Sequence, residues 1–256
     1  MNSFCVGYHS DRGTTHDINQ DSFFIKGFND ESQKVLVAGL FDGMGGHNEG
    51  ERASGAAAQV LSRWANTHKD LLLQENDSQI IGSLDVELFR LNEKIRAYGV
   101  RAGIEVGTTA AVLIIWEKHY LVCNVGDSRA YLIKENRAEQ ITEDHSLVAD
   151  LVRAGLITES QAKKHPRRNV LTQALGILEK IKPFYRSGFY NQADVFLLLC
   201  DGFYHELADT ELQDFYRIDC NRGIITERLK QKANEVIARG ETDNITGILI
   251  KTIAEV

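Results

Sequence analysis

The sequence contains little proline, little cysteine, no long apolar run and no excess of positive charge. Only two prolines occur in 256 residues. No stretch rich in glycine, serine or charge of one sign separates two apolar regions, so no linker between domains is indicated. We therefore predict one domain over residues 1–256.

The formal net charge of −7 argues against proteins that bind nucleic acid through its phosphate backbone, because such proteins need a basic face. The longest apolar stretches, such as AAVLIIW at residues 110–116, are too short to span a bilayer. The N-terminus has no basic segment followed by an apolar one, the pattern of a secretory signal. We expect a soluble, cytoplasmic protein with no nucleic-acid partner and no membrane partner.

The four cysteines are far apart in the sequence, at Cys5, Cys123, Cys200 and Cys220. This spacing indicates neither a disulfide framework nor a CxxC zinc site. Three of them lie within or beside apolar runs, so we expect reduced thiols that mostly fill the core.

Short apolar runs rich in β-branched residues predict strands. These runs are SFFI, KVLVAGLF, TTAAVLIIW, HYLVCNV, RAYLI, DVFLLLC and ITGILI. In GTTAAVLIIWEKHYLVCNVGDSRAYLI the short polar segments EKH and GDS predict consecutive antiparallel strands joined by tight turns.

Apolar residues at helical spacing predict three helices, over residues 49–65, 84–98 and 222–238. Strands cluster, two helices intervene, strands follow, and a helix returns near the end. This order is typical of an α+β fold in which helices cover a sheet core.

Aspartates recur at the ends of the predicted strands. Asp42, Asp127 and Asp201 follow apolar runs, Asp243 precedes one, and Asp21 stands beside SFFI. Any one of them is more often a turn residue, but the set can converge on one rim of a sheet. Partly buried carboxylates that converge need a cation. Oxygen ligands without a nearby Cys or His pair favour Mg²⁺ or Mn²⁺, and two such ions can activate water for phosphoester hydrolysis.

Other phosphate chemistries fit the sequence less well. The loop FDGMGGHNEG at residues 41–50 lacks the lysine of a P-loop and the third glycine of GxGxxG. CNVGDSR at residues 123–129 matches the CxxGxxR signature of cysteine-based phosphatases, in which Cys123 would be the nucleophile. That loop should run into a helix, yet SRAYLI reads as a strand, and Asp127 would place a negative charge in the anion site. His47 and His145, as single loop histidines, are expected to be solvated or structural.

Several motifs in order resemble the metal-dependent PP2C-type (PPM) Ser/Thr protein phosphatases in their compact bacterial form. They are SDRGTTHDINQDSF, FDGMGGHNEGERAS, GTTAAVLI, NVGDSRAYLI, ITEDHSLV, NVLTQALG, LLLCDGFYHEL and ETDNITGILI. The resemblance covers nearly the whole chain. It implies a four-layer αββα sandwich, in which helices flank two antiparallel β-sheets and a binuclear metal site lies at one end.

The resemblance also implies a set of metal ligands for two Mn²⁺ or Mg²⁺ ions. Asp42 would bridge the ions, and the Gly43 carbonyl would bind one of them. Asp201 and Asp243 would ligate the second, and Asp21 would act through bound water. The catalytic residues Asp42, Asp201 and Asp243 would thus work through metal-activated water.

Further expectations and two departures come from the same resemblance. Asp127, with Asp201, resembles the site of a third metal, and residues 147–169 would form a flap beside the active site. His16 stands where the family usually has an arginine that anchors the substrate phosphate, so phosphate binding by His16 is in question. Met44 stands where eukaryotic members often have a histidine proposed as general acid.

The resemblance therefore predicts hydrolysis of phosphoserine and phosphothreonine in proteins by direct attack of a metal-bridging hydroxide. A cognate Ser/Thr kinase would supply the phosphorylated proteins, and the enzyme would be a monomer. Two alternatives stay open: a catalytically attenuated module that binds phosphoproteins, for which His16 is the only support, and a phosphatase that uses Cys123.

Overall fold

In the computed structural model, residues 2–31, 33–46 and 49–254 are described. They form two antiparallel sheets with helices on the outer faces. The five-stranded sheet has the order β1 (Asn2–Asp11), β11 (Ile245–Ala254), β10 (Val195–Leu199), β7 (Arg129–Lys134) and β8 (Arg137–Gln140). The six-stranded sheet has the order β2 (Asp21–Asn29), β3 (Lys34–Gly45), β5 (Ala110–Ile115), β6 (His119–Val125) and β9 (Phe184–Phe189), and β4 (Val106–Thr108) pairs with β3.

The helices cover these sheets and fill the connections between strands. The long ones are α1 (Gly50–Thr67), α3 (Asp77–Ala102) and α8 (Arg222–Ala238). The short ones are α2 (Lys69–Leu72), α4 (Leu147–Arg153), α5 (Glu159–Lys163), α6 (Asp201–Tyr204) and α7 (Asp209–Gln213). Among the described helices, none combines the length and the hydropathy that crossing a membrane would require.

Strand β3 explains why the six-stranded sheet is apolar on both faces. Leu36, Ala38 and Leu40 pack into the core shared by the two sheets, whereas Val35 and Phe41 pack against α1 and α3. A strand buried on both faces is expected as a continuous apolar run, and KVLVAGLF is such a run. On the opposite side of the molecule α8 lies against β1, which completes the four layers.

The three predicted helices are present, and side-chain caps mark the start of two of them, α3 and α8. The side chain of Asn221 accepts hydrogen bonds from the amides of the first turn of α8. Asn76 caps α3 in the same way, so this helix begins before the predicted residue 84, and it ends at Gly103 with a left-handed φ of 68°. Asparagine is a favoured N-cap and glycine a favoured C-terminal stop.

The predicted antiparallel pairing of consecutive strands is right for β5 and β6 and wrong for β6 and β7. β6 pairs with β5 and β9, whereas β7 pairs with β10 and β8 in the other sheet. The segment GDS is therefore a crossing between the two sheets. Gly126 has φ +103°, and a Cβ there would lie 2.6 Å from Thr109 Cγ2, so glycine makes this tight crossing possible.

Two further details of the strands differ from the predictions. β3 continues to Gly45, so Asp42 lies inside the strand at the point where its partner changes from β5 to β4. Strands β1, β8 and β9 were not predicted, because their sequences lack a long β-branched run. β1 is held by pairing along its whole length with β11, a contact between the two ends of the chain.

Candidate active site

A cavity of about 250 Å³ opens where the ends of several strands meet. It collects nearly all the site residues that the sequence predicted. Its lining consists of His16, Gln20, Asp42, Gly43, Met44, Gly45, Thr109, Asp127, Asn169, Leu171, Asp201, Asp243 and Asn244. The lining comes from both sheets and from the segment predicted as a flap, so the tertiary fold assembles the site.

Asp21 is buried beside the cavity, next to the lining residues Gln20 and Asp42. It is 8% exposed and stands directly opposite Asp42 in the register of β2 and β3. Ligand atoms of Asp21, Asp42 and Cys200 lie within 4.8 Å of one another. Among the described residues, neither carboxylate oxygen of Asp21 has a hydrogen-bond partner. Burial, reinforced by the charges of Asp201 and Asp243, raises the pKa of Asp21 to about 7.

The carboxylates near Asp21 also have raised pKa values. Burial and the neighbouring Asp21 and Asp201 raise the pKa of Asp42 well above its usual value. Burial and Asp201 do the same for the pKa of Asp127. Burial also raises the pKa of Asp201, whose buried Oδ1 has no hydrogen-bond partner in the part of the chain that the structure describes. Orphaned carboxylate oxygens of this kind fit a hard divalent cation such as Mg²⁺ or Mn²⁺.

Asp243 and His16 form the more open side of the cavity. His16 Nε2 lies 3.1 Å from Asp243 Oδ1, and the same oxygen accepts a hydrogen bond of 2.7 Å from the amide of Asn244. Burial and Asp201 raise the pKa of Asp243. The residue predicted to bind substrate phosphate therefore contacts a predicted metal ligand directly.

Comparison with known proteins agrees with this geometry. The Protein phosphatase 2C family matches residues 6–150 of the chain. The chain belongs to this family. The serine/threonine phosphatase stp of Listeria welshimeri is 32% identical over 248 residues, which are 95% of this chain and 94% of that protein. The protein phosphatase PhpP of Streptococcus pneumoniae is 32% identical over 94% of both chains.

A solved structure shows the same likeness in three dimensions. The crystal structure of the serine/threonine phosphatase Stp1 from Staphylococcus aureus superposes with a TM-score of 0.81 at 31% identity, covering 98% of this chain and 95% of that one. The αββα sandwich is thus the fold of the protein phosphatase 2C family.

Thr109 is a site residue of this family member that sequence reasoning missed. It is 2% exposed, and its hydroxyl accepts a hydrogen bond of 2.9 Å from the amide of Asp42. The same hydroxyl lies 2.7 Å from Ser128 Oγ, beside Asp127 in the sheet crossing. Thr109 therefore ties two carboxylate-bearing segments together. The sequence feature that could have identified Thr109 is the polar pair at the start of the apolar run TTAAVLIIW. A hydroxyl buried at such a position requires a hydrogen-bond partner.

Asn244 was also missed and connects the N-terminal motif to the C-terminal one. Its Oδ1 accepts from the amide of Gln20 at 2.7 Å, and its Nδ2 donates to the carbonyl of Arg12 at 2.8 Å. Because Gln20 precedes Asp21 and Asn244 follows Asp243, these bonds hold together the two segments that carry these carboxylates.

Gly43 occupies a position where no side chain fits. A Cβ on Gly43 would lie 2.3 Å from the carbonyl oxygen of Gly50, and one on Gly50 would lie 2.7 Å from the carbonyl oxygen of Gly43. Close approach of β3 to the first turn of α1 thus requires glycine at both positions. The Gly43 backbone is thereby held at the cavity wall, while His47 and Asn48 lie outside the described residues.

The sheet crossing that carries Asp127 is supported from behind by a polar cluster. Tyr204 Oη donates to the carbonyl of Asp127 at 3.1 Å. The guanidinium of Arg129 lies 3.8 Å from the centroid of the Tyr204 ring and forms a bidentate pair with Asp144. His145 Nδ1 accepts from the amide of the crossing at 3.2 Å. His145 is therefore structural, one of the two expectations for it.

Cys123 does not lie at the cavity. It is 1% exposed and packs in the core between the six-stranded sheet and helices α1 and α3. Burial raises the pKa of its thiol to about 12, so the nucleophilic thiolate is disfavoured. The segment after it continues as β7, without the helix N-terminus that a cysteine-based phosphatase needs. Nothing in this geometry supports the Cys123 alternative.

Cys200 does border the carboxylates, which the sequence did not predict. Its sulfur accepts from the amide of Thr246 at 3.0 Å and donates to the carbonyl of Asn244 at 3.3 Å. Burial and the nearby Asp21 and Asp42 raise the pKa of the thiol well above its usual value. A neutral, hydrogen-bonded thiol is a poor ligand, so the donor set remains oxygen. All four cysteines are free, as the sequence predicted.

Residues 147–169, the predicted flap, lie beside the cavity, and the two ends of this segment are close together. An isolated bridge between Ser146 and Leu171 closes its base, and the amide of Leu147 donates to the carbonyl of Val170 at 2.9 Å. Helices α4 and α5 lie within it. Near its end, Asn169 and Leu171 line the cavity.

Proposed function

We propose that this chain is a metal-dependent protein phosphatase that hydrolyses phosphoserine and phosphothreonine in proteins, with two Mg²⁺ or Mn²⁺ ions at the carboxylate cavity. One observation carries this proposal. Asp21 and Asp42 stand opposite each other on neighbouring strands beside the cavity, and both oxygens of Asp21 lack a partner among the described residues. Such an arrangement is stable in an ionised form only with a cation.

The residues present fit these ions. Asp42 and the Gly43 carbonyl would hold one ion, Asp42, Asp201 and Asp243 the second, and Asp21 would act through water. Asp127, with Asp201, would provide a third position. When bound, the ions would lower the pKa of a water molecule and neutralise charge on the phosphoryl oxygens.

The protein's own residues prepare this chemistry. Thr109 fixes the backbone of Asp42, and Asn244 fixes the segment before Asp21, so the carboxylates are preorganised. His16 stands at the open side, where its imidazole would meet a phosphate oxygen. An imidazole lacks the permanent charge of the arginine usual in the family.

We also infer the broader setting of the activity. Residues 1–256 would act as one phosphatase domain with residues 147–169 as its flap. Phosphorylated proteins made by a cognate Ser/Thr kinase would be the substrates. The enzyme would act as a cytoplasmic monomer. Size-exclusion chromatography with light scattering would test the oligomeric state.

The decisive experiment measures phosphate release from a phosphothreonine peptide. We expect turnover with Mn²⁺ or Mg²⁺, none after chelation with EDTA, and recovery when the metal is restored. Asp201→Asn and Asp42→Asn should lose at least about 100-fold in kcat, since each removes a charge that positions the ions. Activity that survives full chelation would overturn the proposal.

A further inference from the structure

A strongly basic turn lies beside the carboxylate cavity of this acidic protein. Residues 163–168, here called the basic turn, read KKHPRR. They contribute four cationic side chains within six residues, although the whole chain carries a net charge of −7. The basic turn begins with the last residue of α5 and precedes Asn169, which lines the carboxylate cavity.

Backbone hydrogen bonds give the basic turn a defined shape. The amide of Lys164 donates to the carbonyl of Gln161 at 3.2 Å, and the amide of Arg168 donates to the carbonyl of His165 at 3.1 Å. The amide of Arg167 donates to His165 Nδ1 at 3.1 Å. The cationic side chains are therefore presented from a fixed backbone rather than from an extended segment.

The basic turn encloses a second cavity next to the first. This cavity has a volume of about 350 Å³ and is lined only by residues 164–170. Asn169 lines both cavities, so the two are adjacent. Arg168 lines the second cavity, and its Nη1 donates to the carbonyl of Lys163 at 3.2 Å. Its charge opposes the burial that raises the pKa of Asp201, and together with burial it lowers the pKa of His205 to about 4.

Lys164 and Arg167 are exposed cations that line the second cavity. Neither forms an ion pair within the residues that the structure describes. By contrast Arg153 pairs with Glu143, and Arg239 pairs with Glu211. Two cations that form no ion pair with any described residue, held beside a site for a phosphorylated side chain, can receive anionic groups from a substrate.

We propose that the basic turn is an anion subsite that binds a second anionic side chain of the substrate, next to the phosphorylated residue. The group would be a carboxylate of Asp or Glu, or a second phosphate, since both present oxygens to ammonium and guanidinium groups. This inference rests on the proposed function and gives it a substrate class: phosphoproteins with acidic flanking sequence. Lys164 and Arg167 determine this preference.

Three phosphothreonine peptides of one length test the subsite. One has neutral flanks, one has Asp and Glu flanks, and one carries a second, non-hydrolysable phosphonate. With the native enzyme and Mn²⁺, we expect KM for either anionic peptide to be about three- to ten-fold lower than for the neutral peptide, as two exposed ion pairs provide. The difference should shrink as NaCl is raised from about 0.05 to 0.3 M.

Two double variants assign the effect to the basic turn. In Lys164→Gln/Arg167→Gln the ratio of KM between neutral and anionic peptides should fall close to one. Arg222→Gln/Lys230→Gln removes the same two charges from exposed positions on α8 and should keep the native ratio. The same ratio of affinities should appear in anisotropy measurements of peptide binding to Asp201→Asn, a readout that does not require turnover.

The outcomes separate this inference from the proposed function. If no peptide is hydrolysed, the proposed function fails. If the neutral peptide is hydrolysed in a metal-dependent manner but the anionic peptides have no advantage, the subsite is wrong and the function stands. The subsite would also be overturned if the ratio of KM between neutral and anionic peptides fell equally in both double variants. The preference would then reflect the overall charge of the protein. If KM is lowered for only one of the two anionic peptides, that peptide shows whether the subsite binds a carboxylate or a phosphate.

Discussion

Asp21 and Asp42 stand directly opposite each other on neighbouring strands of the six-stranded sheet. Like charges in a directly opposed pair destabilise a sheet, and here the buried Asp21 has no hydrogen-bond partner for its carboxylate within residues 2–31, 33–46 and 49–254. In the metal-free protein this pair lowers the stability of the folded state. Binding of a cation removes that cost, so metal binding and folding stability are coupled at this site.

Asp21→Asn should therefore stabilise the metal-free protein. In EDTA at pH 8 we expect its melting temperature to exceed that of the native protein by at least about 2 °C, which corresponds to about 1 kcal/mol for a chain of this size. In saturating Mn²⁺ the advantage should disappear, because the native protein gains more binding free energy. Scanning calorimetry under both conditions measures this. A variant that folds and yet melts below the native protein in EDTA would contradict the argument.

The stability of the metal-free protein should fall as the pH rises. The folded-state pKa of Asp21 is about 7, whereas the pKa of an aspartate in the unfolded chain is about 3.9. Between these values the folded state holds a proton that the unfolded state has lost, so the free energy of unfolding decreases with pH. Thermal melts in EDTA from pH 4.5 to 8 should show this slope, and Asp21→Asn should reduce it. A native protein whose melting temperature rises across this window would refute the pKa assignment.

Thr109→Val should impair both stability and turnover. The substitution keeps the shape but leaves the amide of Asp42 without its acceptor, which costs about 1–3 kcal/mol for a buried group. It also releases the contact with Ser128, so kcat should fall together with metal affinity. Thr109→Ser retains the hydroxyl and is the matched control in urea unfolding and phosphate-release assays. Equal behaviour of the two variants would show that the hydroxyl does not position Asp42.

Cys123→Ala should retain catalysis and lose stability. The side chain fills space between the sheet and helices α1 and α3, and its removal should cost about 1–2 kcal/mol, typical of a small cavity in a core. Values of kcat and KM measured below the melting transition should match those of the native enzyme. Abolished turnover in a folded Cys123→Ala protein would revive the cysteine-based mechanism.

His16→Arg should raise kcat/KM for phosphopeptides, chiefly through a lower KM. A guanidinium carries a permanent charge and binds a phosphate with two hydrogen bonds. We expect KM to fall about ten-fold, which corresponds to about 1.4 kcal/mol of binding free energy. His16→Gln controls for release of Asp243 from its contact with His16. Absence of turnover in both the native protein and the His16→Arg variant, with peptide still bound, would favour a binding module.

Much of the architecture was predictable from the sequence. The β-branched runs located seven strand segments, and apolar residues at helical spacing located α1, α3 and α8, because local patterning reflects which face is buried. The ordered motifs indicated the phosphatase family and the carboxylates Asp42, Asp127, Asp201 and Asp243. These are features in which the residue type and its immediate neighbours carry the information.

The tertiary structure alone decided which of these residues meet. A short polar turn such as GDS is compatible with a hairpin and with a crossing between sheets, and only the pairing of β7 with β10 selected the crossing. The facing of Asp21 and Asp42, the bond from Asp42 to Thr109, and the burial of Cys123 away from the cavity all depend on register between strands distant in sequence. Register is set by packing over the whole sheet, since a shift of one residue would move every side chain to the opposite face.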